Sequence, residues 1–253
     1  MYSYKTKIGY SQCGTNGRAH ITALVNLMQD CSTFQSDALG IGIRELSQAN
    51  RAWLLSSWQI VIEDLPKEGE KIEVSTLAYA FKGCYGNRNF AIKDKTGKLI
   101  SYANSIWFYY DTKERKPVRY TPLGNVEYPL DPPLDMALAP RKIAYPAEEN
   151  GKLYEEDSIK ILRSSLDTNN HVNNCEYIKF ALDHFPEELE ECLSFVKQIR
   201  VEYKNAAHLG DILFPEYLFV ENEGKIFVRF LDEEGNIYAV LELADKICKE
   251  KEE

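Results

Sequence analysis

The chain has 253 residues, of which 44% are hydrophobic, 27% charged and 12% aromatic. That length buries a sizeable core as one large or two small domains, and the near-average composition excludes disordered, collagen-like and membrane-spanning architectures. The balance of 30 Lys/Arg against 39 Asp/Glu, a net charge of −9, argues against nucleic acid as a partner. The charge is unevenly spread: residues 151–253 hold 12 basic and 23 acidic side chains, a net of −11, which leaves residues 1–150 at +2. An acidic partner is therefore expected at the N-terminal part. Six cysteines (Cys13, Cys31, Cys84, Cys175, Cys192, Cys248) show no C-x-x-C pair and no histidine at ligand spacing, so no zinc site or redox motif is expected. The opening MYSYKTKIGYSQ is not a basic stretch followed by an apolar one, and no window approaches the roughly 18 apolar residues of a membrane span. A cytoplasmic location with no membrane partner is the expectation.

In chain order, Ile21, Leu24, Leu27, Met28, Cys31, Phe34 and Ala38 recur at spacings of three and four, which predicts a helix over 20–39 with one buried face, stopped by Gly40. From Trp53 the texture is that of strands. WLLSSWQIVI, KIEVSTLAYAF, FAIKD and LISYANSIWFYYD are separated by turns at 67–69, 83–87 and 95–97 and read as an antiparallel meander. Residues 112–150 carry seven of the ten prolines, which removes backbone donors and suits a strap better than a sheet element. A second helix over 171–185 has Val172, Cys175, Ile178, Leu182 and Phe185 on one face and is closed by Pro186; strands FVKQIRVEYKN, ILFPEYLFVEN, KIFVRFLD and IYAVLELAD follow.

The second half thus repeats the order of the first. Gln59-Ile60 and Gln198-Ile199 lie 139 apart, Gly69 and Gly210 141, Asp94/Gly97 and Asp232/Gly235 138, and His20 and His171 151. An α+β protein made of two copies of a helix plus antiparallel sheet is expected, with an N-terminal domain over 1–112, a connecting strap over 113–150 and a C-terminal domain over 151–253.

The polar run SLDTNNHVNNCEY (165–177) enters the second helix. Asp167, Asn169 and His171 alternate, so in a turning segment they converge just before the helix. A carboxylate beside an imidazole raises its basicity, and an amide with helix N-terminal N–H groups can hold a developing oxyanion, a workable set for activating water against a carbonyl. Asp and Asn before a helix also serve as N-caps, and Cys175, one turn past His171, falls on the apolar face as a core cysteine does.

The run L-D-T-N-N-H-V-N-N-C-E-Y closely resembles the helix-entry motif of acyl-acyl-carrier-protein (acyl-ACP) thioesterases, fatty-acyl chain-terminating enzymes built from two tandem hotdog domains. The opening helix TNGRAHITALVNLMQD, a Trp-containing strand and D-x-x-x-R-x-P, here Asp111, Arg115 and Pro117, resemble the same family. The resemblance implies a double hotdog, each copy a long helix packed on a curled antiparallel sheet. It implies catalytic roles for Asp167, Asn169 and His171, acyl carrier protein as partner, and no cofactor. The family usually has E-Y-x-x-E in the next strand, with the second Glu implicated in catalysis and often followed by Cys. Here Glu202-Tyr203 leads to Ala206 and Ala207, so a thiol nucleophile is not supported. Either Asp167 and His171 suffice, or a neighbour such as His208 substitutes, or activity is weakened.

On this reading the protein hydrolyses fatty acyl thioesters on acyl carrier protein, the alternatives being an acyl-CoA thioesterase or an acyl-binding regulatory protein without turnover. The first helix (Leu24, Leu27, Met28, Cys31) with Trp53 and Trp58 is expected to line the acyl pocket. The basic run Lys113, Arg115, Lys116 and Arg119 is expected to dock the carrier. Glu202 reads as a strand-surface charge. A homodimer of double hotdogs is an arrangement such surfaces allow.

Overall fold

The computed structural model describes residues 1–246; Cys248 lies outside them. The protein is α+β, and its chain falls into two compact units: residues 1–56 with 62–136, and residues 57–61 with the chain from Ala137 onward.

The first unit contains β1 (Tyr2–Lys7), α1 (Ile21–Ala38), α2 (Ile43–Gln48), most of β2 (Arg51–Ile62), β3 (Lys71–Lys82), β4 (Tyr85–Asp94), β5 (Leu99–Asp111) and β6 (Lys116–Pro117). Strands β1, β3, β4 and β5 are antiparallel neighbours in that order, with β6 on β5, and α1 packs on β1, β3 and β4. Leu24, Val25, Leu27, Met28 and Cys31 are buried as the helical spacing requires. Phe34 and Ala38 depart from the expectation: both are exposed, Phe34 lying edge-on to the Tyr4 ring, while Ser32 and Gln35 are buried in their stead. The reason is the buried Arg88 of β4, whose Nη1 donates to Gln35 Oε1 (2.5 Å) and thereby draws a polar residue of α1 inward. Gly40 follows the helix at φ +72°, a left-handed conformation that ends it. The turn expected over 83–87 is confined to Gly83-Cys84, because β4 already begins at Tyr85.

The second unit contains β7 (Lys152–Glu155), β8 (Ile159–Lys160), α3 (Asn174–Asp183), β9 (Gln198–Tyr203), β10 (Ile212–Val220), β11 (Lys225–Leu231) and β12 (Ile237–Ala244). Residues 57–61 of β2 pair with β9, and β12, β11, β10 and β7 follow, all antiparallel, with β8 also on β10. Three tyrosines hold α3 and its approach: Tyr203 Oη donates to Asn174 O (2.8 Å), Tyr217 Oη donates to Ala181 O (3.2 Å), and Tyr177 Oη accepts from Ala207 N (3.2 Å).

The two units repeat one hairpin. In the first, Asp94 Oδ1 accepts from the N–H groups of Thr96 (2.8 Å) and Lys98 (3.0 Å), and Gly97 stands at φ +88°. In the second, Asp232 Oδ1 accepts from those of Glu234 (2.9 Å) and Asn236 (2.8 Å), and Gly235 stands at φ +83°. Hydrogen bonds from Thr96 and Asn236, respectively, hold each carboxyl below its ordinary pKa.

The proline-rich segment is held by buried polar side chains that satisfy its remaining backbone groups. Its start is not purely a strap, since Lys116 and Pro117 pair with Asp111 and Tyr110. In the first unit Asn89 Oδ1 accepts from Leu134 N (3.0 Å). In the second, Gln59 binds Ala137 O (2.9 Å) and Ala139 N (2.8 Å) and donates to Gln198 (3.0 Å). Arg200, paired with buried Glu242 at 3.1 Å, also donates to Pro140 O (2.5 Å) and Lys142 O (3.1 Å). Glu202 is no strand-surface charge: it is 6% exposed and accepts from Ile143 N (3.0 Å). Among the described residues no helix is long and apolar enough to cross a membrane.

Candidate active site

The helix-entry motif folds as a tight turn before α3, and His171 belongs to that turn rather than to the helix. A single 3-10 turn (Arg163–Ser165) leads to an antiparallel bridge between Leu166 and Val172. Between them Asp167 N donates to His171 O (2.7 Å), Asn170 N donates to Asp167 O (3.1 Å), and Asn170 takes φ +60°, which asparagine tolerates better than most residues. The Asp167 carboxylate builds this turn. Its Oδ1 accepts from the N–H groups of Asn169 (2.8 Å) and His171 (3.2 Å), and its Oδ2 from Asn169 Nδ2 (3.3 Å). The carboxylate therefore meets His171 at its backbone, whereas the spacing had suggested a carboxylate beside the imidazole. The half-buried imidazole instead stands edge-to-face with the ring of His208, centroids 5.1 Å apart at 88°.

The helix is capped by Asn173, whose side chain accepts from Cys175 N (2.9 Å). With His171 outside the helix, the one-turn relation expected between His171 and Cys175 is absent. Cys175 is buried in the apolar face, and burial pushes its thiol well above the ordinary range, which opposes formation of a nucleophilic thiolate.

The same turn is present in the first unit, which the sequence reading aligned two residues off. Cys13 and Ala19 form its bridge, Gly14 N donates to Arg18 O (2.9 Å), Gly17 N donates to Gly14 O (2.9 Å), and Gly17 takes φ +69°. Thr15-Asn16 matches Thr168-Asn169, Gly14 stands in the place of Asp167, and Arg18 in that of His171. His20, N-cap of α1, is the counterpart of Asn173 and not of His171. The shared T-N dipeptide before a left-handed residue is the signal that locates this relation. Arg18 pairs with Asp64 (2.9 Å), so this copy holds an ion pair where the other holds an imidazole.

The remaining expected residues are dispersed. Leu24, Leu27, Met28 and Cys31 share the inward face of α1. Trp53 belongs to an aromatic cluster with Phe81 (5.7 Å), Tyr109 (4.8 Å) and Tyr120 (5.3 Å). Trp58 is buried in the 57–61 stretch of the second unit. Lys113, Arg115, Lys116 and Arg119 are exposed, the first three on the β5–β6 hairpin. Asp111 caps that hairpin by accepting from Lys113 N (3.0 Å) and Glu114 N (2.8 Å) and pairs with Arg51 (2.6 Å). Arg115 stands in it at φ +54°. Ala206 is exposed and Ala207 buried. Among the described residues no group of three or more His, Cys, Asp and Glu could hold a metal ion.

The α+β fold, with an acid, amide and imidazole on one turn at a helix entry, has the composition of an acid–base site. The chain belongs to the acyl-ACP thioesterase family: residues 1–123 match the model of the acyl-ACP thioesterase N-terminal domain and residues 148–239 that of the C-terminal domain. It is 26% identical over 233 residues to oleoyl-acyl carrier protein thioesterase 2, chloroplastic, of Arabidopsis thaliana, covering 84% of this chain and 62% of that protein. It is 22% identical to dodecanoyl-[acyl-carrier-protein] hydrolase, chloroplastic, of Cinnamomum camphora, covering 80% of this chain and 55% of that one. The chain thus spans less than two thirds of the length of these plant relatives. The crystal structure of an acyl-ACP thioesterase from Bacteroides thetaiotaomicron superimposes with a TM-score of 0.82 at 25% identity, over 96% of both chains.

Proposed function

We propose that the protein is a double-hotdog thioesterase that hydrolyses fatty acyl thioesters on acyl carrier protein and releases free fatty acid, as a cytoplasmic enzyme of fatty acid synthesis. The N-terminal hotdog spans 1–112, the strap 113–150 and the C-terminal hotdog 151–253. The duplicated helix-entry turn and the duplicated Asp-x-x-Gly hairpin support the tandem reading.

The observation that carries the function is the turn of Asp167, Asn169 and His171, built by the carboxylate and presenting the imidazole ahead of α3. His171 takes the proton of a water whose oxygen adds to the thioester carbonyl. Asn169 holds the oxyanion, the C–S bond breaks, and the proton passes from His171 to the departing thiolate. Asp167 serves by fixing the turn. The acyl chain lies against the Leu24, Leu27, Met28 and Cys31 face of α1, and the basic hairpin meets the acidic carrier.

Multiple-turnover hydrolysis by the full chain, assayed with acyl groups on acyl carrier protein and on coenzyme A, tests this reading. Preference for the protein-borne thioester supports it; preference for coenzyme A makes the protein an acyl-CoA thioesterase. Stoichiometric binding without release makes it an acyl-binding protein.

A further inference from the structure

With the Asp167 carboxylate bonded to the backbone of its own turn, another group must set the plane of the His171 ring. The ring facing it is that of His208, which stands on the loop between β9 and β10. That loop turn is common to both units: His208 N donates to Asp211 Oδ2 (2.8 Å) as Lys67 N donates to Glu70 Oε2 (3.0 Å). What differs is the pair of facing side chains. In the first unit Arg18 and Lys67 are bridged through their backbones, and in the second both facing residues are histidines with rings in contact. The imidazole pair thus accompanies the copy of the turn that carries the acid and the base. His208 is in turn held from behind: its Nδ1 lies 3.9 Å from Asp211 Oδ2, and that oxygen accepts from Tyr238 Oη (3.3 Å).

We propose that His208 is a positioning residue for His171: its ring, standing edge-on, fixes the plane in which the His171 imidazole accepts the proton of water. This deepens the thioesterase reading and rests on it. Two aromatic rings meeting edge-to-face hold a preferred mutual geometry.

The test measures steady-state hydrolysis of an acyl carrier thioester, together with the ring-proton NMR shifts of His171, for wild type, His208→Ala and His208→Phe. His208→Ala is expected to lower kcat about 10-fold with KM unchanged, the scale on which groups that orient a reacting side chain act. The His171 ring-proton shifts are expected to move in His208→Ala, because the ring standing edge-on to it is gone. His208→Phe keeps a ring in place and is expected to recover part of kcat. Wild-type kcat or unmoved His171 ring-proton shifts in a folded His208→Ala protein, or no recovery of kcat in His208→Phe, would overturn the proposal. If wild type releases no fatty acid from any acyl carrier thioester, the thioesterase reading fails, and the His171 ring-proton shifts alone then decide the pairing.

Discussion

At the scale of single residues, His171 and Cys175 receive opposite assignments from their surroundings. His171 is half-buried on a turn whose backbone is tied down by Asp167, so its ring is accessible and its main chain rigid. With the fold retained, as judged by circular dichroism, His171→Ala is expected to lose about 100-fold or more in kcat, the usual contribution of a general base. Turnover near that of wild type in a folded His171→Ala protein would remove the base from the mechanism. Cys175 lies 2% exposed with its thiol pushed up by burial, so Cys175→Ser is expected to keep turning over. Complete inactivation of a folded Cys175→Ser protein would restore a thiol mechanism.

At the scale of elements, the strap is positioned by side chains belonging to strands rather than by packing of its own. Glu202 of β9 accepts from the buried Ile143 N–H, so Glu202→Ala leaves that donor without its acceptor. A loss of about 1–3 kcal/mol in unfolding free energy by denaturant titration is expected, the cost of an unsatisfied buried donor. Glu202→Gln retains a carbonyl oxygen at the same reach and is expected to lose less. Equal losses in the two variants would mean that the charge of Glu202, not its hydrogen bond to the strap, is what matters. The hairpin aspartates Asp94 and Asp232 show how a short pattern becomes geometry. A carboxylate that accepts two backbone N–H groups closes the turn, and a glycine at positive φ completes it.

At the scale of the whole molecule, the net charge of −9 sets a requirement on any acidic partner: local charge must oppose the global sign. Arg115 and Lys116 on the exposed β5–β6 hairpin are the residues to reverse. Arg115→Glu with Lys116→Glu is expected to raise KM for the protein-borne thioester at low salt, to lose that effect as salt is added, and to leave a small neutral thioester unaffected. Equal effects on both substrates would assign the hairpin to shaping the site. Much of the molecule was legible in the amino-acid order because the interactions concerned are local. The spacing of Leu24, Leu27, Met28 and Cys31 specifies a buried helix face, and the Asp-x-x-Gly patterns at Asp94 and Asp232 specify matching turns. Other features required the chain to be folded. The ring contact of His171 with His208, the burial of Glu202 against the strap, and the inward draw of Gln35 by Arg88 each join residues distant in sequence. Periodicity and turn chemistry report which face a residue occupies within its own element. The partner that meets that face is decided only when the backbone paths of separate elements have been brought together, since a side-chain hydrogen bond acts over about 3 Å and has no signature in the intervening residues.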